Sequence, residues 1–160
     1  AGVGGRIPLQ MGTLSKAIGS YGGFICAAKP VIDLLINRAR SLIYATGLPP
    51  ATVAAASAAL DVIEKDEQLV RIPMERAQRF TRQLSLPEPE STIVPLITGT
   101  AETALAASRV LAEEGFLVTA IRPPTVPEGT ARLRFTFAAH HSDEDIDRLV
   151  AAVRKTGILS

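Results

Sequence analysis

The chain has 160 residues, 47% of them hydrophobic and 21% charged, enough for one cored domain or for parts of two. Seventeen Lys and Arg against sixteen Asp and Glu leave a net charge of +1, and with no Trp and 4% aromatics there is neither a basic stripe nor a base-stacking platform, so no nucleic-acid partner is expected. No apolar run is long enough to cross a membrane and no signal peptide is visible, which points to a soluble, cytoplasmic protein. The single Cys26 excludes an intramolecular disulfide. Within the apolar run Phe24–Ala28 it reads as a small buried thiol.

Residues 7–14 and 21–28 read as two short buried strands flanking a glycine-rich turn. Pro30 starts a helix that runs from Val31 to about Ala39, and Ser41–Tyr44 reads as a brief extended piece. Pro49 and Pro50 suit the first turn of an Ala-rich helix over 50–64. A charged helix follows from Gln68 to Leu84, and the two could form one element kinked near Pro73. Beyond the loop Leu86–Glu90 the pattern is β-α-β-β-α: strand Thr92–Thr98, then helix Ala101–Glu114 closed by Gly115. Strands Leu117–Arg122 and Ala131–Ala138 flank a Pro-rich loop, and a last helix is capped by Ser142–Asp145. The period of two puts Arg132 and Arg134 on one strand face and Leu133 and Phe135 on the other.

Two stretches carry chemistry. In Gly12-Thr13-Leu14-Ser15-Lys16-Ala17-Ile18-Gly19-Ser20-Tyr21-Gly22-Gly23 a lone lysine follows Thr and Ser among glycines. A lysine taken out of water becomes an amine nucleophile, and the Thr13 and Ser15 hydroxyls can bond a phosphate. The Walker A order is absent, and spacing alone leaves an ordinary turn open. Far downstream stands Ile121-Arg122-Pro123-Pro124-Thr125-Val126-Pro127-Glu128-Gly129-Thr130-Ala131-Arg132-Leu133-Arg134.

Together with ARSLIYATGLPPA at 39–51, these blocks resemble the α-oxoamine synthases, a branch of the fold-type I enzymes that use pyridoxal 5′-phosphate (PLP). The resemblance implies an α/β fold: the end of a large PLP-binding domain over 1–65, including the Schiff-base lysine, and a small C-terminal α+β domain with an antiparallel sheet over 66–160. It implies decarboxylative condensation of an amino acid with an acyl thioester. The wording SYGGF and RPPTVPEGTARLR leans toward the biotin-pathway member, hence toward L-alanine and a pimeloyl group on CoA or a carrier protein. Sibling enzymes using glycine or serine with another acyl-CoA remain open, as does a truncated, non-catalytic subunit.

By the same resemblance Lys16 is the catalytic lysine that holds PLP and moves the proton at Cα, and Thr13 reaches the cofactor phosphate. Ser15 joins it, although related sequences carry Gly there. Thr46 resembles a residue that reaches the partner subunit's phosphate, implying a homodimer with shared active sites; it is equally placed to cap the helix at Pro49. Arg134 is the candidate for the substrate carboxylate, because a guanidinium fork matches a carboxylate bidentately. Arg122 reads as a second, mobile arginine over the substrate, or as an exposed loop residue. Arg132 could equally be structural. His140 and His141 lack metal-ligand spacing and read as capping or packing residues, so no metal is expected. The family's Asp for the pyridine nitrogen and His over the ring have no counterparts ahead of Lys16: the first Asp is Asp33 and the histidines stand at 140 and 141. The expectation is therefore the C-terminal part of a longer enzyme.

Overall fold

The computed structural model describes residues 2–159, and the chain divides into two compact units, Ala1–Asp66 and Glu67–Ser160. In the first, strands β1 (Leu9–Thr13) and β2 (Gly23–Ala27) pair antiparallel, with Leu9 opposite Ala27 and Thr13 opposite Gly23. Helix α1 (Lys29–Arg38) takes Pro30 in its first turn, where the missing amide hydrogen costs nothing. Ala39 closes α1 and opens a single further turn, α2 (Arg40–Ile43), through Leu42 N–H and Ile43 N–H donating to its carbonyl at 2.9 Å each. Helix α3 spans Pro50–Lys65.

This unit has almost no interior. Ala56 is its one buried side chain among the described residues, while Leu9, Met11, Phe24, Ile25, Leu34, Ile36, Leu42 and Ile43 are exposed. The hairpin strands stand where the sequence puts them, but they are exposed rather than buried. Cys26 is likewise exposed, not the packed thiol its apolar neighbours suggested. An apolar run shows that a segment can be covered, and it does not name what covers it. Ser41–Tyr44 is also corrected, from extended to a helical turn, because four residues are too few to show a period.

In the second unit α4 (Glu67–Gln83) carries Pro73 inside it. The helices α3 and α4 part at Asp66, with φ −121° and ψ 79°, rather than kinking at Pro73. Strands β3 (Ile93–Gly99), β4 (Thr119–Ile121) and β5 (Ala131–Thr136) form an antiparallel sheet in the order β3-β5-β4. Helices α5 (Ala101–Glu113) and α6 (Asp143–Lys155) complete the unit. One continuous core joins Ala77 and Phe80 of α4, Val94 and Leu96 of β3, Leu111 of α5, Leu133 and Phe135 of β5, and Ile146, Val150 and Val153 of α6. Phe80 is fully buried, with its ring 4.7 Å from that of Phe135 and 5.2 Å from that of Phe137.

The strand alternation is as expected. Ala131, Leu133 and Phe135 face the core, while Arg134 and Thr136 point away. Gly115, at φ 88°, lies just past the end of α5, in the left-handed conformation that glycine takes without a Cβ penalty. Ser142 caps α6 reciprocally with Asp145: Asp145 N–H donates to Ser142 Oγ at 3.0 Å and Ser142 N–H to the Asp145 carboxylate at 3.0 Å. Arg79 donates twice to Asp147, at 2.9 and 2.7 Å, and Arg76 pairs with Asp143, so α4 and α6 are joined along their polar edge.

Candidate functional site

The β1–β2 connection, residues 14–22, carries Lys16. Its backbone is closed on itself: Leu14 N–H donates to Gly22 O at 2.9 Å, Ser20 N–H to Leu14 O at 2.8 Å, and Gly19 N–H to Lys16 O at 2.8 Å. Gly19, at φ 67°, makes the turn that lets this loop fold back. Lys16 Nζ donates to Thr13 Oγ1 at 3.2 Å, which brings an amine and a hydroxyl together at the end of β1. Both side chains are exposed, as is Ser15. The sequence argument rested the lysine's nucleophilicity on burial, and this unit does not bury it.

Glycines shape the surroundings. A Cβ on Gly12 would stand 2.7 Å from the Phe24 ring, and one on Gly22 would stand 2.7 Å from Leu48 Cδ1. The Phe24 ring therefore lies against the β1 backbone, and Leu48 against the base of the lysine loop. Thr46 lies two residues before Leu48, exposed, in the segment that leads into α3. Its capping alternative is not realised, since no side-chain cap is present at the start of α3. Between the hairpin and α1–α2 is an apolar cavity of about 590 Å³, lined by Met11, Phe24, Ile32, Leu35 and Leu42, with Thr13 on its wall.

The arginines belong to the second unit. Arg134 is exposed at the centre of β5, paired across the sheet with Pro95 of β3 and Thr119 of β4. Arg122 is exposed just past β4, where Thr125 N–H donates to its carbonyl at 3.0 Å. Among the described residues neither guanidinium is in an ion pair, so both charges are available to an anion. Arg132 Nε instead donates to Thr130 O at 3.0 Å, which gives it a structural task. His141 Nδ1 accepts the Ala138 amide at 3.2 Å beside the ring of His140, a packing role at the entry to α6. Among the described residues no group of three His, Cys, Asp or Glu could hold a metal, and no helix is long and apolar enough to cross a membrane.

The donor set of the lysine loop suits a phosphorylated aldehyde. The amine can bond a carbonyl carbon, the adjacent hydroxyls can bond phosphate oxygens, and the glycines keep side chains off the backbone beside them. The mixed α/β fold is that of the PLP-dependent transferases. Residues 1–153 match the family described as aminotransferase class I and II, and the chain belongs to that family.

The relatives sharpen this. The chain is 62% identical to 8-amino-7-oxononanoate synthase of Methylocella silvestris over 148 residues, 92% of this chain and 42% of that protein. It is 60% identical to the enzyme of the same name from Beijerinckia indica over 147 residues, 92% of this chain and 38% of that protein. Among solved structures it resembles serine palmitoyltransferase of Sphingomonas wittichii, with a TM-score of 0.89 and 27% identity, covering 98% of this chain and 41% of that one. The fold also matches 8-amino-7-oxononanoate synthase of Francisella tularensis, with a TM-score of 0.79. The chain thus spans about two-fifths of the length of the relatives it matches.

Ser20 and Leu48 are the residues of this region that sequence reasoning passed over. Ser20 sits between Gly19 and the pair Gly22-Gly23 and reads as turn filler, and Leu48 reads as an apolar residue ahead of a proline.

Proposed function

We propose that this chain supplies the lysine loop and the small sheet unit of a PLP-dependent α-oxoamine synthase of the 8-amino-7-oxononanoate type. The reaction joins L-alanine to a pimeloyl thioester, on CoA or a carrier protein, in the cytoplasm. Identity near 60% to relatives of that name, together with Lys16 placed 3.2 Å from Thr13, carries the reading. The Cα–carbonyl bond forms as the thiolate leaves, and the bond to the alanine carboxylate breaks to release CO₂.

When bound, PLP supplies a conjugated ring that takes up the electron pair left at Cα. Lys16 would hold it through its amine and, once released, move the proton at Cα. Thr13 and Ser15 would hold the phosphate from one subunit and Thr46 from its partner, which makes a homodimer the working unit. Arg134 would orient the substrate by its carboxylate, the positional part of catalysis, and Arg122 would close over it. The domain assignment follows the same reading, residues 1–65 ending the large domain and 66–160 forming the small one.

The test is to incubate the native protein with PLP, reduce with borohydride and map the pyridoxyl group by peptide mass spectrometry. Attachment at Lys16, and its loss in Lys16→Ala, is the expected result. Attachment elsewhere, or full synthase activity in Lys16→Ala, overturns the reading. Turnover of glycine or serine in preference to alanine would favour a sibling synthase.

A further inference from the structure

The lysine loop is closed on itself by backbone hydrogen bonds, but nothing in that closure fixes where the loop points. Among the described residues one side-chain hydrogen bond from the loop reaches beyond the hairpin. Ser20 Oγ donates to the carbonyl of Thr52 at 2.7 Å, across 32 residues of sequence, and the Ser20 side chain is half-buried. Thr52 lies in the first turn of α3, whose own bonds (Thr52 N–H to Pro49 O, 3.0 Å) make its carbonyl a rigid anchor. A second contact runs the same way, with Leu48 packed on Gly22 so closely that a Cβ there would be 2.7 Å away. The loop is therefore clamped to the segment 48–52 at two points, one polar and one apolar.

Within the loop, the Ser20 amide bonds Leu14 O, and Leu14 is flanked by Thr13 and Lys16 is two residues on. A displacement at Ser20 is thus passed to the backbone that carries both the amine and the hydroxyl. We infer that Ser20 is a positioning residue: its hydroxyl, held by the first turn of α3, sets the direction in which the loop presents Lys16. The same clamp ties the loop to the segment carrying Thr46. This inference rests on the reading of Lys16 as the cofactor lysine.

Two variants of nearly equal shape separate the hydroxyl from the packing. Ser20→Thr keeps the donor and Ser20→Val removes it, so damage from β-branching would appear in both. Two readouts are followed in the native protein. The first is hydrogen exchange at the amides of Leu14, Gly19 and Ser20 without PLP. The second is the rate at which added PLP becomes attached to Lys16, where the amine nitrogen bonds the aldehyde carbon and the carbonyl oxygen leaves as water. In Ser20→Val the loop amides are expected to exchange about fivefold faster, and attachment to slow by about the same factor, the scale of one net hydrogen bond. Ser20→Thr is expected to restore both.

Equal exchange in all three proteins would overturn the clamp. Faster exchange with an unchanged attachment rate would reduce Ser20 to a purely structural residue and overturn the positioning role. Failure of the cofactor reading is seen separately, as wild-type protein that takes up no pyridoxyl group on Lys16. The exchange measurement then still decides the clamp.

Discussion

At Lys16 the groups that would bond a ligand and the groups that hold the backbone are different residues. The amine and the Thr13 hydroxyl meet at 3.2 Å, while Ser20 and Gly19 fix the chain between them. On the proposed reading Thr13 holds the cofactor phosphate, and replacing it by Val would remove that donor at nearly constant shape. Since a hydrogen bond to a charged group is worth about 1.5–3 kcal/mol, the Kd for PLP is expected to rise roughly ten- to a hundredfold, read by titrating the cofactor absorbance. His141 makes a different prediction. Burial, and after it the neighbouring His140, lowers its pKa below the ordinary 6.5, with Asp145 opposing, and Nδ1 must stay unprotonated to accept the Ala138 amide. The folded state therefore binds this proton less readily than the unfolded chain. Its contribution to stability is complete above about pH 6.5 and is lost as pH falls through the lowered value. The urea midpoint should fall on acidification, and less steeply in His141→Asn. Lys16 stood out only through the family resemblance carried by the downstream blocks, because its type and glycine setting alone left an ordinary turn open. Ser20 did not stand out, because its partner is a backbone carbonyl 32 residues away, and a carbonyl leaves no mark in a sequence.

Helices with a side-chain signal at their ends were read most accurately. Ser142 and Asp145 announce α6, and Gly115 announces the end of α5, because each supplies a local interaction that the backbone needs there. Ser142→Ala should cost about 1 kcal/mol, seen as a lower midpoint in thermal or urea unfolding. Asp145, held below the usual carboxylate range by the Ser142 amide and then its hydroxyl, should lose its part of that cap as pH drops through its folded pKa. The helical turn α2 was misread, and of the two readings offered for 50–84 the separate helices hold while the kink at Pro73 does not. The turn has neither a side-chain cap nor a period long enough to register, and Pro73, which does register, is accommodated inside α4. In the core the pattern was plain. Phe80 is buried against Phe135 and Phe137, and Phe80→Ala is expected to destabilise by about 3–5 kcal/mol.

Across the whole molecule the two units differ in how far they satisfy themselves. Glu67–Ser160 encloses a continuous core, whereas Ala56 is the one buried side chain among the described residues of Ala1–Asp66. Expressed apart, residues 67–160 should unfold cooperatively, and residues 1–66 should show neither dispersed amide resonances nor a transition. A cooperative transition in the shorter piece would refute that. The sequence made both hairpin strands apolar and could not say that their own unit leaves them exposed. The sheet order β3-β5-β4 has a consequence for synthesis on the ribosome. The central strand emerges last, so β3 and β4 leave the tunnel with no neighbour to pair with, and a chain released before Ala131 would carry two unpaired strands into the cell instead of one sheet.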